Sequence, residues 1–206
     1  MDINTLGVIG AGQMGNGIAQ VAAMSGIHVI MNDISEEFVQ KGLSTITGIL
    51  TRSVGKGKIT ETEKESILGR ISASTDLKDM AGADFVVEAA TENETLKFKI
   101  FKDLDNICPP AAILSTNTSS IPSGRIASQT QRPEKVIGMH FLNPVPVMRL
   151  VEIIRGLATS DETFEATWDL SLKFGKTPAE ANDFPGFIAN RILLPMINEA
   201  VYCLYH

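Results

Sequence analysis

A glycine-rich turn near the N-terminus constrains the fold of this chain more than any other feature. Gly10, Gly12 and Gly15 have the spacing GxGxxG, directly after a short apolar run at 6–9 and directly before a helical pattern. A second apolar run, at 27–31, follows that helix. Strand, turn, helix and strand in this order predict a βαβ unit, whose strands are parallel and whose sheet is covered by helices on both faces.

Strand-like and helix-like segments alternate along most of the remaining chain. Thr60 followed by Glu63 is typical of a capping box at the start of a helix. The pattern predicts further strands at 84–89, 112–116, 135–139 and 150–154, and helices at 36–53, 60–68, 94–106 and 161–174. This alternation predicts an α/β fold with a Rossmann-type, doubly wound, mostly parallel sheet.

The alternation breaks near the C-terminal end of the sequence. Residues 182–186 read Asn-Asp-Phe-Pro-Gly, a combination typical of a turn or loop. From Phe187 an apolar helical pattern runs to the last residue. We therefore predict a nucleotide-binding domain over 1–183 and the beginning of an all-helical C-terminal domain over 184–206.

The composition argues against several functional classes. The net charge of -6 comes from interspersed charges of both signs, which argues against a nucleic-acid surface. Cys108 and Cys203 are far apart and belong to no CxxC or Cys/His cluster, which argues against a disulfide framework and a metal site. A secretory signal and a membrane-spanning run are not recognisable. We expect a soluble, cytoplasmic protein without a metal or a membrane partner.

The glycine turn and an acidic residue beyond it predict a dinucleotide site. One glycine permits the tight turn, one lets backbone N–H groups approach a pyrophosphate, and one allows close packing of helix on strand. Asp33, at the end of the second strand, can accept hydrogen bonds from the adenosine ribose and would repel a 2′-phosphate. NAD is therefore expected over NADP. The alternative is that the glycines only tighten a turn and Asp33 caps the helix that begins near Glu36.

Polar side chains also stand out from the apolar runs of the second half. They lie in Ser115–Ser120, in His140–Pro144 and at Glu152. Ligands of an open parallel sheet bind beyond the carboxyl ends of its strands, and we expect His140 at such an end rather than on a buried face. There it could take the proton of a substrate hydroxyl, with Glu152 orienting its other ring nitrogen. The alternative is a satisfied histidine before a proline-containing loop and a turn rich in capping side chains.

Five segments of the chain are distinctive together. They are VIGAGQMGNGIAQ, VVEAATEN, LSTNTSSI, VIGMHFLNPVPVMRLVEII and FPGFIANRILLPMINEA. In order and spacing they resemble the 3-hydroxyacyl-CoA dehydrogenase family, and within it the bacterial 3-hydroxybutyryl-CoA dehydrogenases. The resemblance covers essentially the whole chain. It implies an enzyme that interconverts a (3S)-3-hydroxyacyl-CoA and a 3-oxoacyl-CoA with NAD.

The resemblance also implies roles for individual residues. His140 matches the family's catalytic histidine and Glu152 the carboxylate that pairs with it. Ser119 matches the hydroxyl near the substrate 3-oxygen and the nicotinamide, and Asn190 the amide that completes this site. On the cofactor side the match covers Gly10, Ala11, Gly12, Gln13, Met14, Gly15, Asp33, Glu92, Lys97, Asn117, Ser119 and Asn143.

Basic residues between two predicted helices match the place where the family meets the phosphates of CoA. They are Arg52, Lys56 and Lys58, and Ser119 is the other residue implied on the substrate side. A solvated loop is the alternative for the basic run. For Lys97 the alternative is a solvated helix face, because charged residues lie beside it.

Members of the family carry further helices beyond the position of His206, and they form dimers through them. The resemblance therefore implies a homodimer or higher homo-oligomer for a full-length protein, and an expectation that this sequence is truncated. The sequence leaves open whether this chain by itself forms a dimer or catalyses the reaction. Two other functions also stay open, a dehydrogenase of a free hydroxy acid on the same scaffold and an NAD-binding protein without catalysis.

Overall fold

The computed structural model describes residues 2–205 and contains one eight-stranded sheet. The strands are β1 (Thr5–Ile9), β2 (His28–Asn32), β3 (Ile71–Ser74), β4 (Phe85–Glu88), β5 (Ile113–Thr116), β6 (Val136–Phe141), β7 (Leu150–Arg155) and β8 (Thr177–Asn182). Their order in the sheet is β3-β2-β1-β4-β5-β6-β7-β8. All neighbours are parallel except β6 and β7, which are antiparallel. The expected doubly wound, mostly parallel sheet is confirmed.

Seven α-helices connect and cover these strands in the described part of the chain. They are α1 (Gln13–Met24), α2 (Glu36–Gly55), α3 (Glu61–Leu68), α4 (Glu94–Ile107), α5 (Ser123–Ala127), α6 (Asp161–Lys173) and α7 (Ala189–Tyr205). Short 3-10 helices lie at Leu77–Gly82 and Pro133–Lys135. The predicted capping box is confirmed, since Thr60 Oγ1 accepts the backbone N–H of Glu63 while the Glu63 carboxylate accepts that of Thr60.

The core has one apolar layer on each face of the sheet, because successive side chains of a strand point to opposite faces. Val8 and Val87 pack with α1, α2 and α6 on one face. Ile9 and Val86 pack with α4 and α5 on the other. The strands that carry the glycine turn and its neighbours are therefore buried on both sides, which fixes the position of their carboxyl ends.

Besides the two short 3-10 helices, the sequence patterns miss two strands and one α-helix. The strands β3 and β8 lie at the two edges of the sheet, where the sequences ISAS and TPAEAN are partly exposed and contain no apolar run. The third element, α5, has only five residues. Edge strands need less apolar surface than central ones, so hydrophobic periodicity is weak there.

The predicted break before the last helix is confirmed as a turn. Phe187 N–H donates to the carbonyl of Phe184, and α7 begins at Ala189, two residues later than expected. No residue of α7 is buried, although its composition is strongly apolar. Within residues 2–205 no helix combines the length and apolarity needed to cross a membrane. The expected end of the pattern at His206 lies outside the described residues.

Candidate active site

The glycine turn joins β1 to α1 in a form that only glycine allows at two positions. Gly10 has φ +98°, and a Cβ there would lie 2.7 Å from the carbonyl oxygen of Ala89. A Cβ at Gly15 would overlap the carbonyl oxygen of Gly10, so this residue allows the helix to pack on the turn. Gly12 instead faces open space and is the N-cap of α1, without a side-chain cap. The first N–H groups of α1 are thus offered to an anion such as a pyrophosphate.

Asp33 lies at the end of β2 and faces the glycine turn. Its Oδ2 accepts the N–H of Ala11 at 2.7 Å, and its Oδ1 accepts that of Ile34 at 2.7 Å. The N-cap of α2 is Ser35, which accepts the N–H of Phe38. The alternative that Asp33 caps this helix is therefore wrong. The carboxylate holds the turn against β2 and keeps lone pairs for ligand hydroxyls.

One cavity of about 940 Å³ lies along the carboxyl ends of the strands, a volume at the upper end for small-molecule sites. It is lined by six of the predicted cofactor residues, namely Gly10, Ala11, Gly12, Gln13, Asp33 and Asn143. Its walls also include residues that the sequence patterns miss, among them Phe38 and Lys41 of α2, Leu77, and Leu96, Lys99 and Ile100 of α4. The helices α2 and α4 follow β2 and β4, the two neighbours of β1 in the sheet. This position could have indicated that they line the cavity.

The other predicted cofactor residues do not line this cavity. Met14 and Gly15 lie in the first turn of α1 behind the exposed glycine. Asn117 ties the ends of two strands together, because its Oδ1 accepts the N–H of Phe141 at 2.8 Å. Glu92, Lys97 and Ser119 belong to a separate polar network described next.

Lys97 is buried rather than solvated, so the alternative of a solvated helix face is wrong. Its side chain is 1% exposed, and its Nζ lies 2.6 Å from Glu88 and 3.5 Å from Glu92. Glu88, at the end of β4, is fully buried and also accepts the N–H of Ala90 and the hydroxyl of Thr116. Sequence reasoning misses Glu88, although a carboxylate at the end of an apolar strand is itself a signal.

Glu92 accepts several hydrogen bonds from the loop that follows β5. Its Oε1 accepts the hydroxyls of Thr118 and Ser120 and the backbone N–H groups of Ser119 and Ser120. Burial opposes ionisation of Glu92, but these hydrogen bonds and the charge of Lys97 outweigh it and hold its pKa below the usual value. Ser119 is therefore held by an ionised carboxylate that is itself fixed by a buried lysine.

His140 and Glu152 form a buried pair across neighbouring strands. Nδ1 of His140 lies 2.8 Å from Oε2 of Glu152, and both side chains are at most 7% exposed. The two residues face each other in the register of β6 and β7. His140 lies near the carboxyl end of its strand as expected, being the fifth of six residues of β6. The expectation that it does not lie on a buried face is wrong, because its side chain is buried. Because β7 is antiparallel, Glu152 near its beginning lies beside the end of β6.

The second oxygen of Glu152 binds the start of α7. Oε1 accepts the N–H of Ile188 at 2.8 Å and that of Ala189 at 2.9 Å. Asn190 is the next residue along the chain and half-buried, so the predicted amide lies in the helical turn that Glu152 holds. Phe187 has φ +45°, is buried, and places its ring centroid 5.4 Å from that of His140. The structure thus brings His140, Glu152 and the turn carrying Asn190 together.

The basic run lies apart from the cavity. Arg52 is in the last turn of α2, and Lys56 and Lys58 lie in the loop between α2 and α3; all three are exposed. None of them lines the cavity. Among residues 2–205 no group of three His, Cys, Asp or Glu side chains is arranged to hold a metal ion.

A doubly wound sheet, a glycine turn before a bare helix N-terminus and an acidic residue after the next strand define an NAD-binding domain of the dehydrogenase class. The chain belongs to the 3-hydroxyacyl-CoA dehydrogenase family, because residues 5–184 match the family model "3-hydroxyacyl-CoA dehydrogenase, NAD binding domain". The resemblance expected from the sequence motifs, and NAD as the cofactor, are confirmed.

Individual relatives agree with this assignment. The 3-hydroxybutyryl-CoA dehydrogenase of Bradyrhizobium diazoefficiens is 54% identical over 203 residues, which cover 98% of this chain and 69% of the relative. The 3-hydroxyadipyl-CoA dehydrogenase of Escherichia coli is 44% identical over 97% of this chain and 42% of its own length. The crystal structure of (S)-3-hydroxybutyryl-CoA dehydrogenase from Ralstonia eutropha superposes with a TM-score of 0.95 at 52% identity, covering 97% of this chain and 70% of that one.

Proposed function

We propose that the protein interconverts (3S)-3-hydroxyacyl-CoA, in particular 3-hydroxybutyryl-CoA, and 3-oxoacyl-CoA, with His140 as the general base. The buried pair of His140 and Glu152, 2.8 Å apart, carries this proposal. A histidine held by a carboxylate at one ring nitrogen is oriented to accept a proton at the other. The NAD-binding family supports the redox half of the reaction, and relatives named as 3-hydroxybutyryl-CoA dehydrogenases support the substrate.

In the oxidation direction His140 takes the proton of the substrate 3-hydroxyl at Nε2. NAD, when bound, would supply the acceptor for the hydride that leaves the carbon carrying this hydroxyl. Glu152 keeps the proton of the neutral imidazole on Nδ1 and stabilises the imidazolium that forms. The hydroxyl oxygen becomes the carbonyl oxygen of the product, and the proton on His140 is returned to solvent or, in the reverse direction, to the substrate.

Two further side chains are proposed at the substrate oxygen. Ser119 lies in the loop that Glu92 holds, and Asn190 lies in the turn of α7 that Glu152 holds. A hydroxyl and an amide are suited to hydrogen-bond an oxygen that alternates between hydroxyl and carbonyl. For the cofactor, Glu92, Lys97, Asn117, Ser119 and Asn143 remain proposed alongside the turn residues and Asp33. Lys56 and Lys58 are proposed to meet the phosphates of CoA, which their exposure permits.

The division of the chain at residue 183 is proposed together with a helical oligomerisation domain. Ile192, Leu193 and Ile197 of α7 are exposed, and an apolar helix without a buried face normally packs against other helices. We propose that 184–206 begins a helical domain through which the full-length protein forms a homodimer. The free thiols of Cys108 and Cys203 fit a reducing, cytoplasmic location.

The assigned base is tested by His140→Ala, with His28→Ala as a matched control, because His28 is exposed at the start of β2. Turnover is followed as oxidation of NADH by acetoacetyl-CoA. Loss of a general base lowers kcat by about 10²–10⁴-fold, and we expect this for His140→Ala with unchanged NADH affinity. Near-normal turnover of His140→Ala would overturn the assigned role. NAD binding without any acyl-CoA turnover would favour an NAD-binding protein without catalysis. Turnover of free hydroxy acids only would favour a dehydrogenase of a free hydroxy acid.

A further inference from the structure

The loop between β6 and β7 forms one wall of the NAD cavity. Its residues Asn143, Pro144, Val145 and Pro146 line the cavity, three to six positions after His140. Val145 is buried and packs on α1, where a Cβ at Gly17 would lie 2.9 Å from that of Val145. The position of this loop therefore decides the width of the cavity on the side of β6.

This loop satisfies few of its backbone carbonyls by itself. Pro144 and Pro146 have no N–H group to donate. The N–H groups of Val147 and Met148 both donate to the carbonyl of Pro144, at 2.9 Å each. The carbonyls of Val145 and Met148, which are buried and partly buried, take their donors from elsewhere, because an acceptor removed from water without a partner is costly.

Lys176 supplies those donors from the turn between α6 and β8. Its Nζ donates to the carbonyl oxygen of Met148 at 2.9 Å and also to that of Val145. The side chain is buried, and burial lowers the pKa of its ammonium group. In the part of the chain described here, Lys176 is in no ion pair within 4.0 Å, and its hydrogen-bond acceptors are the two backbone carbonyls.

We infer that Lys176 is a positioning residue for NAD binding, which acts by clamping the loop at residues 143–148 onto the wall of the cavity. The backbone pairing of this region supports the same geometry, since the N–H of Thr177 donates to the carbonyl of Arg149 at 2.8 Å. The backbone of Lys176 therefore lies directly before the first pairing of β8 with β7, and its side chain extends back to the loop. It has no place on the cavity lining itself.

The topology indicates which half of the cofactor meets this loop. Asp33 follows β2 and Asn143 follows β6, and the glycine turn after β1 lies between them in the sheet order. With the adenosine ribose at Asp33, as proposed above, and the pyrophosphate at the turn, the nicotinamide half extends toward the loop. ADP, which lacks that half, should be insensitive to the loop.

The test compares Lys176→Met with Lys173→Met by calorimetric titration of NAD and of ADP. Lys173 lies at the end of α6 and donates to the carbonyl of Ile3 at 3.5 Å, away from the loop. For Lys176→Met we expect about tenfold weaker NAD binding, the scale of one lost hydrogen bond to a charged group, and ADP binding within about twofold of wild type. Hydrogen exchange should accelerate in peptides covering 142–149 and in no distant strand.

Two outcomes would overturn the inference. Equal weakening of NAD and ADP would indicate a general structural role, and unchanged NAD binding would show that the clamp does not matter. If Lys176→Met does not fold, the same comparison is made with Lys176→Gln, which keeps a shorter neutral donor, with the same split expected. Binding of ADP to the wild-type chain separately tests the placement of adenosine, so its failure is distinguishable from failure of the clamp.

Discussion

The carboxylate of Glu152 lies 2.8 Å from Nδ1 of His140 and, through its other oxygen, accepts the backbone N–H groups of Ile188 and Ala189, where α7 begins. One side chain therefore orients the proposed base and anchors the helix that carries Asn190. The two oxygens make these contacts separately. Their contributions can be separated by substitution.

Glu152→Gln should impair catalysis more than it loosens α7. The amide keeps one oxygen, but it carries no charge to stabilise the imidazolium, so we expect kcat to fall by about 10²-fold or more. An amide oxygen turned toward Ile188 and Ala189 still accepts their N–H groups. Hydrogen exchange at the start of α7 should then stay close to wild type.

Glu152→Ala is the matched comparison, because it removes both contacts. It should lower kcat as strongly and also accelerate exchange of the amides at 188 and 189. Equal exchange in the Gln and Ala variants would show that the carboxylate does not anchor α7.

Asp33→Asn should weaken the preference for NAD over NADP. The neutral amide would not repel a 2′-phosphate. In the wild-type chain the Asp33 carboxylate accepts the N–H of Ala11 at 2.7 Å, and the amide oxygen of the variant can still accept it. We expect the ratio of the two dissociation constants to shift by about tenfold toward NADP, the scale of one charge–charge contact at a partly exposed site. Titration of both cofactors measures this ratio.

Asp103→Asn is the control for that change, because Asp103 lines the same cavity from α4. It removes one negative charge without touching the glycine turn. A shift of the same size in Asp103→Asn would mean that net charge in the cavity, rather than Asp33, selects the cofactor.

The central part of the fold was predictable from sequence because its strands are buried on both faces. The runs of β1 and β4 are apolar except for Thr5 and Glu88 at their ends, and the glycine turn between β1 and α1 has a distinctive spacing. The edge strand β8 carries a proline and polar residues, so its pairing depends on β7 and not on its own pattern. The antiparallel direction of β7 likewise has no local signal.

The candidate site was predictable where a residue is identified by a motif and not where its role depends on a distant partner. His140 and Glu152 were predicted as a pair from their motif, and the register of β6 and β7 shows how residues twelve apart come together. Glu88 and Lys176 act through buried contacts with residues elsewhere in the fold. Their burial is a property of the packed structure, so composition and periodicity do not indicate it.

Glu92 should contribute stability that disappears in acid. Its pKa is lowered in the folded protein from a usual value of 4.5, so the folded state binds fewer protons than the unfolded state around that pH. This contribution is fully present above the usual pKa and is lost as the pH falls through the lower, folded value. The difference in unfolding free energy between wild type and Glu92→Gln should therefore shrink as the pH is lowered below 4.5.

Thr118→Val provides the comparison for Glu92, since it removes a hydroxyl donor to this carboxylate with little change of shape. Urea unfolding over a pH series should show the same trend, with a smaller amplitude. A difference that grows toward acid in either variant would contradict the assigned direction of the pKa shift.

The buried pair of Lys97 and Glu88 should show strong coupling in a double-mutant cycle. Lys97→Met leaves the Glu88 carboxylate, which is 0% exposed, without its ammonium partner 2.6 Å away. Removing one member of such a pair costs about 3–5 kcal/mol of unfolding free energy, whereas replacing both members is often close to neutral. We therefore expect Lys97→Met and Glu88→Gln each to be strongly destabilised in urea unfolding, and the double variant to recover most of the loss. Additive losses in the double variant would show that the two charges do not act as a pair. Each would then be held by its other hydrogen bonds, Lys97 by the carbonyl of Ala90 and Glu88 by the N–H of Ala90 and the hydroxyl of Thr116.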